Sequence, residues 1–512
     1  MNTLQASITH RQQLSFPVAA ARPDVQIDTW KATPEKIIQF GTGVLLRGLI
    51  GWAVYQANEK GVFSGRIVAV ASTGSGRTRQ FNDQDGLFTQ RIEGYYQGRE
   101  IGEFQINPSM SRAIAAADQW EEVLACARNP QIDIIISNTT EAGLQYIKED
   151  LFASTPTSFP AKLTAFLYER FRHCPEAGCI ILPTELLVDN GKVLKALVLR
   201  QVADHALGAE FTDWLEQEND FCNTLVDRIV TGMPGPEKYA QFTETLGYED
   251  DLMTVSEVYA LWAIEGPARL AARIPFANTV DGVMLIDDIE PFRERKLRIL
   301  NGSHSISVAL GYLAGLDTVY DCMNDEAISA FIGRVVKEEI VPSLPDRVSG
   351  GVEFADEVLD RFRNPFLDHK LLSITFQYTS KMRYRNALTI RRYRDKFGKT
   401  PHLMSLGLAA VICFLHPRRQ EGGNYFGEWQ GKSYPINDDL AGWWQAQWQH
   451  APDSSVGPEA MAAWVRSLFA NTEVWGDEFA HMPDLADSTG ALLHALMTRG
   501  VRQTLQQVLA AS

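Results

Sequence analysis

Residues 36–61, KIIQFGTGVLLRGLIGWAVYQANEKG, decide the fold class of this chain. An apolar run ends at Gly41 and Gly43, and a segment of helical length follows it. This order predicts a buried strand, a tight glycine turn and a helix. Such a turn lets the backbone approach a pyrophosphate at the free N–H groups of a helix N-terminus, although it also occurs as a plain connection between strand and helix.

The glycine spacing departs from the standard dinucleotide-binding pattern G-x-G-x-x-G. Position 46 is leucine, and the next glycine stands only at position 48. The acidic residue that usually follows about 20 residues later and binds the ribose is also missing, because residues 60–82 contain no Asp or Glu. Arg77 and Arg79 in that region are either ligands for a ribose 2′-phosphate or solvated loop cations. The pattern therefore leaves NAD and NADP both open.

Apolar strands alternate with helical segments as far as about residue 285, which predicts a mostly parallel sheet. After residue 292 the segments have helical period and length, and no stretch there is convincing as a strand. We therefore predict an N-terminal arm (1–35), a Rossmann-like α/β domain with a mostly parallel sheet (36–287), and a predominantly α-helical domain (288–512).

The predicted strand in QIDIIISNTTEAG, residues 131–143, ends in a polar cluster. In open α/β sheets, ligands bind outside the carboxyl ends of the strands. Asn138, Thr139, Thr140 and Glu141 are therefore candidates for contact with a cofactor or substrate. The alternative is that the cluster only caps the next helix, because Asn and Thr are good N-cap residues.

The stretch PFRERKLRILNGSHS, residues 291–305, places Lys296, Asn301 and His304 on one predicted helix. Asn301 and His304 are three residues apart and therefore neighbours, whereas eight residues of α-helix separate Lys296 from His304 by about 12 Å of rise. A lysine serves as a base only if burial or nearby cations lower its pKa. Three arginines could supply that repulsion: Arg293, Arg295 and Arg298. The alternative is a charged helix face with a capping asparagine.

Two further stretches carry charged residues suited to ligand binding. In NTLVDRIVTG, residues 223–232, Asp227 either holds substrate hydroxyls or belongs to a structural ion pair. In TSKMRYR, residues 379–385, the cations at 381, 383 and 385 either meet a carboxylate or phosphate or form a solvated basic face.

Composition narrows the function classes. The chain has 512 residues and a formal net charge of −15, which argues against a nucleic-acid-binding protein. The six cysteines form no C-x-x-C pair, the first residues contain no apolar signal segment, and the longest apolar run (406–415) is too short to span a membrane. The histidines lack metal-site spacing. We expect a cytoplasmic protein with no metal, nucleic-acid or membrane partner.

Five motifs occur in the order found in one known family: FGTGVLLRG (40–48), DGLFT (85–89), TTEAG (139–143), LVDRIV (225–230) and KLRILNGSH (296–304). On these motifs the chain resembles the mannitol dehydrogenase family, the zinc-independent, polyol-specific long-chain dehydrogenases. The resemblance covers most of the chain. It implies NAD as the cofactor, with no metal, and hydride transfer between the nicotinamide and a substrate carbon.

The resemblance also implies roles for individual residues. Lys296 matches the family's proton-transfer lysine, Asn301 its donor to the developing alkoxide, and His304 the ligand of a neighbouring hydroxyl. Asp227 and Lys381 match substrate-contact positions. The predicted cofactor-binding set is Gly41, Gly43, Arg47, Asn138, Thr140 and Glu141.

Three departures set the chain apart from mannitol enzymes of the family. Leu186 replaces a second oxyanion-binding asparagine, Arg293 replaces a glutamate, and Ser373 replaces a substrate-contact arginine. The stretches VDRIVTG, SNTTEAG, ERKLRILNGSHS and RFRNPF are most similar to family members that interconvert D-altronate and D-tagaturonate with NAD(H) in galacturonate breakdown.

A small sugar acid as substrate would add a carboxylate, for which the predicted ligands are Lys381, Arg383, Arg361 and Arg363. The alternatives are a fructuronate reductase or polyol dehydrogenase of the same family and, in a different class, a sugar-acid epimerase or a non-catalytic sensor. From the family we expect a monomer or a weak oligomer.

Overall fold

The structure is a computed structural model, and it describes residues 11–22, 27–72, 75–139 and 143–511. The chain divides into two compact units. The first comprises Met1–Glu93 and Ile101–Ile289, and the second comprises Gly94–Glu100 and Glu290–Ser512.

Thirteen strands are described between residues 35 and 286. In chain order they are β1 (Glu35–Phe40), β2 (Arg66–Ala71), β3 (Phe88–Tyr96), β4 (Arg99–Asn107), β5 (Met110–Ala115), β6 (Ile134–Ser137), β7 (Ile180–Pro183), β8 (Asp220–Phe221), β9 (Asn223–Asp227), β10 (Val230–Gly232), β11 (Thr254–Ser256), β12 (Leu261–Glu265) and β13 (Val283–Ile286).

Six of these strands form the central sheet, in the order β5-β2-β1-β6-β7-β8, and every neighbouring pair is parallel. Counted along the chain within this sheet, the order is 3-2-1-4-5-6, which is that of the Rossmann fold. The predicted α/β fold with a mostly parallel sheet is therefore confirmed. The strand order reverses between β1 and β6, and this switch point is where such sheets bind ligands.

The two faces of the central sheet bury separate apolar clusters. Ile37 and Ile134 belong to the cluster on one face, whereas Ile38 and Ile135 belong to the cluster on the other. Side chains alternate along a strand, so a strand covered on both faces needs apolar residues at successive positions. This is why isoleucines stand at successive positions, 37–38 in β1 and 134–136 in β6, rather than alternating with polar residues.

Helices surround the sheets of the first unit. They are Phe16–Ala20, Ile27–Ala32, Trp52–Glu59, Ser75–Asp83, Trp120–Ala127, Phe159–His173, Asn190–Asp204, Ala209–Gln217 and Pro236–Leu246, with a π-helical turn at Leu46–Gly51 and a 3₁₀ turn at Ala268–Ala272. Two smaller sheets have the orders β10-β11-β3-β4 and β13-β12-β9. Within residues 1–35, Leu14 is fully buried and its N–H donates to the carbonyl of Glu249 at 2.8 Å.

The second unit is predominantly helical, as predicted. Its α-helices are Glu290–Arg295, Ser303–Leu313, Val319–Asn324, Glu326–Arg334, Gly351–Phe362, Leu371–Ile374, Tyr378–Met382, Leu388–Phe397, His402–Phe414, Ala441–Trp448, Pro458–Phe469, Thr472–Trp475, Asp477–Ala480, Pro483–Arg499 and Val501–Ala511. π-Helical turns interrupt this series at Lys296–Gly302, Val335–Ile340 and Arg383–Ala387, and 3₁₀ turns at Val341–Ser343 and Ser454–Val456. π-Turns are rare and occur frequently at functional sites.

The expectation that the second unit contains no strand is wrong. A small antiparallel sheet consists of β14 (Arg419–Glu421), β15 (Asn424–Trp429) and β16 (Lys432–Ile436). Its two connections are tight turns in which Gly422, Gly423, Gln430 and Gly431 have positive φ. The sequence signal was the glycine-containing pair of turns in EGGNYFGEWQGKSYPI, which is typical of short hairpins.

All six cysteines are free and buried. Within the described ranges, no helix is long and apolar enough to cross a membrane. Those ranges also contain no group of three or more acidic, histidine or cysteine side chains arranged to hold a metal ion.

Candidate active site

Gly41 and Asn138 meet at the switch point of the central sheet. The N–H of Gly41 donates to the carbonyl of Val70 at 2.9 Å, and the N–H of Asn138 donates to the carbonyl of Phe40 at 3.3 Å. Gly41 has a φ of +132°, and a Cβ at this position would lie 2.7 Å from Leu46 Cδ1 and 3.2 Å from the carbonyl oxygen of Asn138. Only glycine fits here without strain.

Gly43 differs from Gly41 in its surroundings. It is exposed, and a Cβ built on it would meet nothing within 4 Å. The backbone of the turn is therefore open on this side, which is the property that close approach of a phosphate requires.

Asn138 and Thr139 are held by the neighbouring strand end. The Asn138 side-chain amide donates to the carbonyl of Thr184 at 2.9 Å. The Thr139 N–H donates to the carboxylate of Glu185 at 2.9 Å. Of the residues predicted at this strand end, Thr140 and Glu141 lie outside the described residues.

Glu185 is buried at the end of β7 and also accepts a 3.2 Å hydrogen bond from the hydroxyl of Ser137. Burial raises the pKa of its carboxyl group. Leu186, which replaces the second oxyanion asparagine of mannitol enzymes, is 69% exposed and has no hydrogen-bond donor in its side chain. Through its hydrogen bonds from Ser137 and Thr139, Glu185 holds the ends of β6 and β7 together next to the switch point.

Arg47 lies inside the protein rather than on the open side of the glycine turn. It is 1% exposed, and its guanidinium donates to the carbonyl of Thr42 at 2.8 Å and lies 5.6 Å from the ring centre of Phe81. Burial lowers the pKa of Arg47 to about 10. Its position suits a residue that holds the glycine turn from within.

Arg228 also belongs to this site, although the sequence pattern did not predict it. The pattern V-D-R does not show in which direction the arginine side chain points. Its Nη1 donates to the carbonyl of Gly48 at 2.7 Å, and its Nε and Nη2 donate to the carbonyl of Glu257 at 3.0 and 2.8 Å. The guanidinium also lies 4.4 Å from the ring centre of Trp52. Burial lowers the pKa of Arg228 to about 9. Asp227, the preceding residue, is half-buried at the end of β9.

Gly48 allows the π-helical turn Leu46–Gly51 to pack closely against Val230. A Cβ at this position would lie 2.7 Å from Val230 Cγ1. The motif LVDRIV therefore contributes both a hydrogen-bonding arginine and a tightly packed valine to the π-helical turn Leu46–Gly51.

In the second unit, Lys296 and Asn301 lie on the π-helical turn Lys296–Gly302, and His304 lies in the first turn of the helix Ser303–Leu313. All three residues are half-buried. The sequence predicted a single α-helix across them. A π-turn bonds residues five apart, which changes the directions in which successive side chains point, so the 12 Å spacing expected for an α-helix does not apply.

The cations predicted to surround Lys296 are largely paired. Arg298 is buried and bonds to Glu294 at 3.2 Å, and its Nη1 also donates to the carbonyls of Tyr384 and Arg385 at 2.8 and 3.0 Å. Arg293 pairs with Glu290 at 2.5 Å. Pairing with these carboxylates lets both arginines stabilise the helical framework around Lys296.

The His304 ring is packed between two others. It stacks on Phe362 at 4.1 Å between ring centres and faces the edge of His369 at 5.2 Å. Its Nε2 is shielded from solvent and has no hydrogen-bond partner among the described residues. Burial, together with the charges of His369, Arg361 and Arg385, lowers the pKa of His304 well below its usual range. The imidazole is therefore neutral and has one nitrogen available for a ligand.

The basic residues predicted to bind a carboxylate point in different directions. Arg383 donates to the carbonyl of Glu473 at 2.8 Å, and Arg363 pairs with Asp360 at 3.2 Å. Lys381 donates to the carbonyl of Ile374 at 2.9 Å. Arg361 lies next to Phe362, close enough to affect the pKa of His304. The structure thus brings Arg361 to His304 and directs Arg383 and Arg363 to other partners.

Comparison with known proteins agrees with this architecture. Residues 35–278 match the mannitol dehydrogenase Rossmann domain, and residues 288–496 match the mannitol dehydrogenase C-terminal domain. The chain belongs to the mannitol dehydrogenase family. It is therefore an oxidoreductase, as the motifs predicted.

Two relatives within the mannitol dehydrogenase family are similar over nearly their whole length. Altronate oxidoreductase of Yersinia enterocolitica is 38% identical over 480 residues, which is 92% of this chain and 96% of the relative. Altronate oxidoreductase of Halalkalibacterium halodurans is 37% identical over 488 residues, which is 93% of each chain.

Two solved structures share the fold. Mannitol 2-dehydrogenase of Pseudomonas fluorescens, solved with NAD and D-mannitol, has a TM-score of 0.66 at 23% identity and covers 98% of this chain and all of its own. A substrate-free D-sorbitol dehydrogenase has a TM-score of 0.76 at 21% identity and covers 96% of this chain and all of its own. These similarities establish that the family fold extends over nearly the entire chain.

Proposed function

We propose that this chain interconverts D-tagaturonate and D-altronate by NAD(H)-dependent hydride transfer. The observation that carries the proposal is the surroundings of His304: a neutral imidazole with a free nitrogen lies beside Arg361 and Arg385, on the segment that also contains Lys296 and Asn301. Hydroxyl-binding groups next to cations suit a polyhydroxy acid. The altronate oxidoreductases at 37–38% identity support the same substrate.

The first unit fits a dinucleotide cofactor. The glycine turn lies at the switch point of a Rossmann-type sheet, Gly43 leaves its backbone open, and Arg47 holds the turn from inside. Gly41, Gly43 and Asn138 would hold the cofactor at this edge. When bound, the nicotinamide would supply a hydride to the substrate carbon in reduction and accept one in oxidation.

The residues of the second unit would handle the proton and orient the substrate. The Lys296 ammonium would donate a proton to the keto oxygen during reduction and, as the neutral amine, remove it from the hydroxyl during oxidation. The Asn301 amide would donate a hydrogen bond to the oxygen as negative charge develops on it. The neutral His304 would bind a neighbouring hydroxyl through its free nitrogen.

Substrate and cofactor preference can be measured together. NADH and NADPH oxidation would be followed separately with D-tagaturonate, D-fructuronate and D-fructose. We expect the highest kcat/KM for D-tagaturonate with NADH. A preference for fructuronate would assign the chain to the sibling reductase, a preference for fructose would assign it to the polyol dehydrogenases, and no turnover of any of the three would overturn the proposal.

A further inference from the structure

Arg385 has no counter-ion among the described residues, and its charge acts on His304. It is half-buried in the π-helical turn Arg383–Ala387, and its Nη1 donates to the hydroxyl of Ser305 at 3.0 Å. No acidic side chain in the described part of the chain pairs with it. Burial lowers the pKa of its guanidinium. Removing a charge from water is costly unless an opposite charge compensates it, so this position favours an anionic ligand.

The groups around Arg385 increase the preference of this position for an anionic ligand. Lys381 is four residues earlier, and both its burial and the charge of Arg385 lower its pKa. The charges of Arg385 and Arg361 also act together on His304. Like charges therefore converge on one region, where a bound carboxylate would relieve their mutual repulsion.

Glu357, a carboxylate on the helix Gly351–Phe362, does not neutralise Arg385. Glu357 is one helical turn before Arg361, and the cations that act on its carboxyl group are Arg295 and Arg361. Arg361 therefore shares its charge with Glu357, whereas Arg385 does not. Arg363 likewise pairs with Asp360, so Arg385 differs from Arg361 and Arg363 in having no acidic partner in the described part of the chain.

We propose that Arg385 binds the carboxylate of the sugar-acid substrate and determines the preference for uronates over neutral ketoses; this inference rests on the function proposed above. The planar guanidinium can form two parallel hydrogen bonds to a carboxylate. Its bond to Ser305 orients the group beforehand, so less side-chain entropy is lost on binding. Because the charge of Arg385 also reaches His304, the carboxylate end and the hydroxyl-bearing carbons of one substrate would be recognised within one region.

Arg383 is a matched control for Arg385. It belongs to the same π-helical turn and is also half-buried, but it donates to the carbonyl of Glu473 and lies 5.4 Å from the ring centre of Tyr384. A substitution at Arg383 removes the same charge from the same turn. It does so at a guanidinium that bonds to Glu473 rather than to Ser305.

The test compares charged and neutral substrates in Arg385→Gln, Arg385→Lys and Arg383→Gln. In Arg385→Gln we expect KM for D-tagaturonate to rise roughly ten- to hundredfold, the usual effect of losing a charge-assisted hydrogen bond. KM for D-fructose should change by less than about threefold. Arg385→Lys should recover part of the uronate affinity, since it keeps the charge but not the planar fork. Arg383→Gln should leave both KM values close to those of the wild type.

If the wild-type enzyme does not turn over D-fructose, inhibition constants replace the KM for the neutral substrate. D-Altronate and the corresponding neutral hexitol would compete with D-tagaturonate, and Arg385→Gln should reduce the preference for the acid.

Equal changes for acid and neutral ligands, or a uronate-specific effect at Arg383 instead, would overturn the inference while leaving the proposed function intact. A wild-type enzyme inactive on every uronate would overturn the proposed function itself. If Arg385→Gln fails to fold, by circular dichroism, Arg385→Lys decides: unchanged uronate affinity relative to fructose would contradict a bidentate contact.

Discussion

Arg228 donates a 2.7 Å hydrogen bond to the carbonyl oxygen of Gly48, across 180 residues of sequence. Gln90 Nε2 donates to the same oxygen at 2.9 Å. Two buried side chains therefore hold one carbonyl of the π-helical turn that follows the glycine turn. Since Arg47 holds the glycine turn itself, this part of the proposed cofactor site is fixed by buried arginines rather than by the backbone alone.

Replacing Arg228 with methionine should weaken both folding and cofactor binding. The change leaves the carbonyls of Gly48 and Glu257 without three hydrogen bonds, and we expect the free energy of unfolding to fall by about 2–4 kcal/mol. NADH affinity, measured by fluorescence titration of the folded protein, should fall as well.

A control for Arg228 is Arg269→Met in the same unit. Arg269 is 63% exposed and pairs with Asp220, so its loss should cost less than about 1 kcal/mol in urea unfolding. Similar costs for the two variants would show that Arg228 does not hold the turn.

The two glycines of the turn should respond differently to alanine. In Gly41→Ala the new Cβ would clash with Leu46, and the alanine would have an unfavourable positive φ. We therefore expect the free energy of unfolding to fall by at least about 1 kcal/mol. NADH affinity should fall as well. In Gly43→Ala the Cβ meets no protein atom, so stability should stay within about 0.5 kcal/mol of the wild type. NADH affinity should nevertheless fall, because the methyl group occupies the open side of the turn. Normal NADH binding by a stable Gly43→Ala variant would place the cofactor elsewhere.

Lys296→Met should abolish proton transfer without preventing NADH from binding. We expect kcat for D-tagaturonate reduction to fall by roughly 10²- to 10⁴-fold, the usual contribution of general acid–base catalysis. NADH affinity should be unchanged. Lys396→Met, which removes an exposed lysine paired with Asp346 in the same unit, should keep wild-type kcat. A Lys296→Met variant with full activity on a good substrate would rule out the proton-transfer role.

Glu339 should make stability depend on pH. Its buried carboxyl group accepts hydrogen bonds from the N–H groups of Leu403 and Met404 at 2.8 and 2.7 Å, and burial raises its pKa to about 7. The folded state therefore holds this proton more tightly than the unfolded state. Raising the pH from about 5 to about 8 should lower the free energy of unfolding by about 2–3 kcal/mol through this group.

The substitution Glu339→Gln should remove that pH dependence, as measured by urea unfolding across the same range. Glu338→Gln is the matched control, because Glu338 is the exposed neighbour paired with Arg334 at 2.8 Å. Identical pH profiles for wild type and Glu339→Gln would show that the carboxyl group is ionised in both states.

Much of the first unit could be predicted from local sequence. Apolar segments such as KIIQF predicted buried strands, and Gly41 and Asn138 were placed at their carboxyl ends. Parallel strands with intervening helices bring those ends to one edge, so the meeting of the two residues follows from the pattern. The direction of Arg47 and Arg228 does not, because burial of a side chain depends on strands and helices far away in sequence.

The sequence by itself determined the family, the Rossmann-type sheet, the helical second unit and the segment that contains Lys296, Asn301 and His304. Only the tertiary structure decided which cations lie near His304. Arg361 and Arg385 affect its pKa, whereas Arg383 and Arg363 bond to other groups. The physical reason is that π-helical turns change the direction of successive side chains, and that packing between distant helices decides which guanidinium loses its water and its counter-ion.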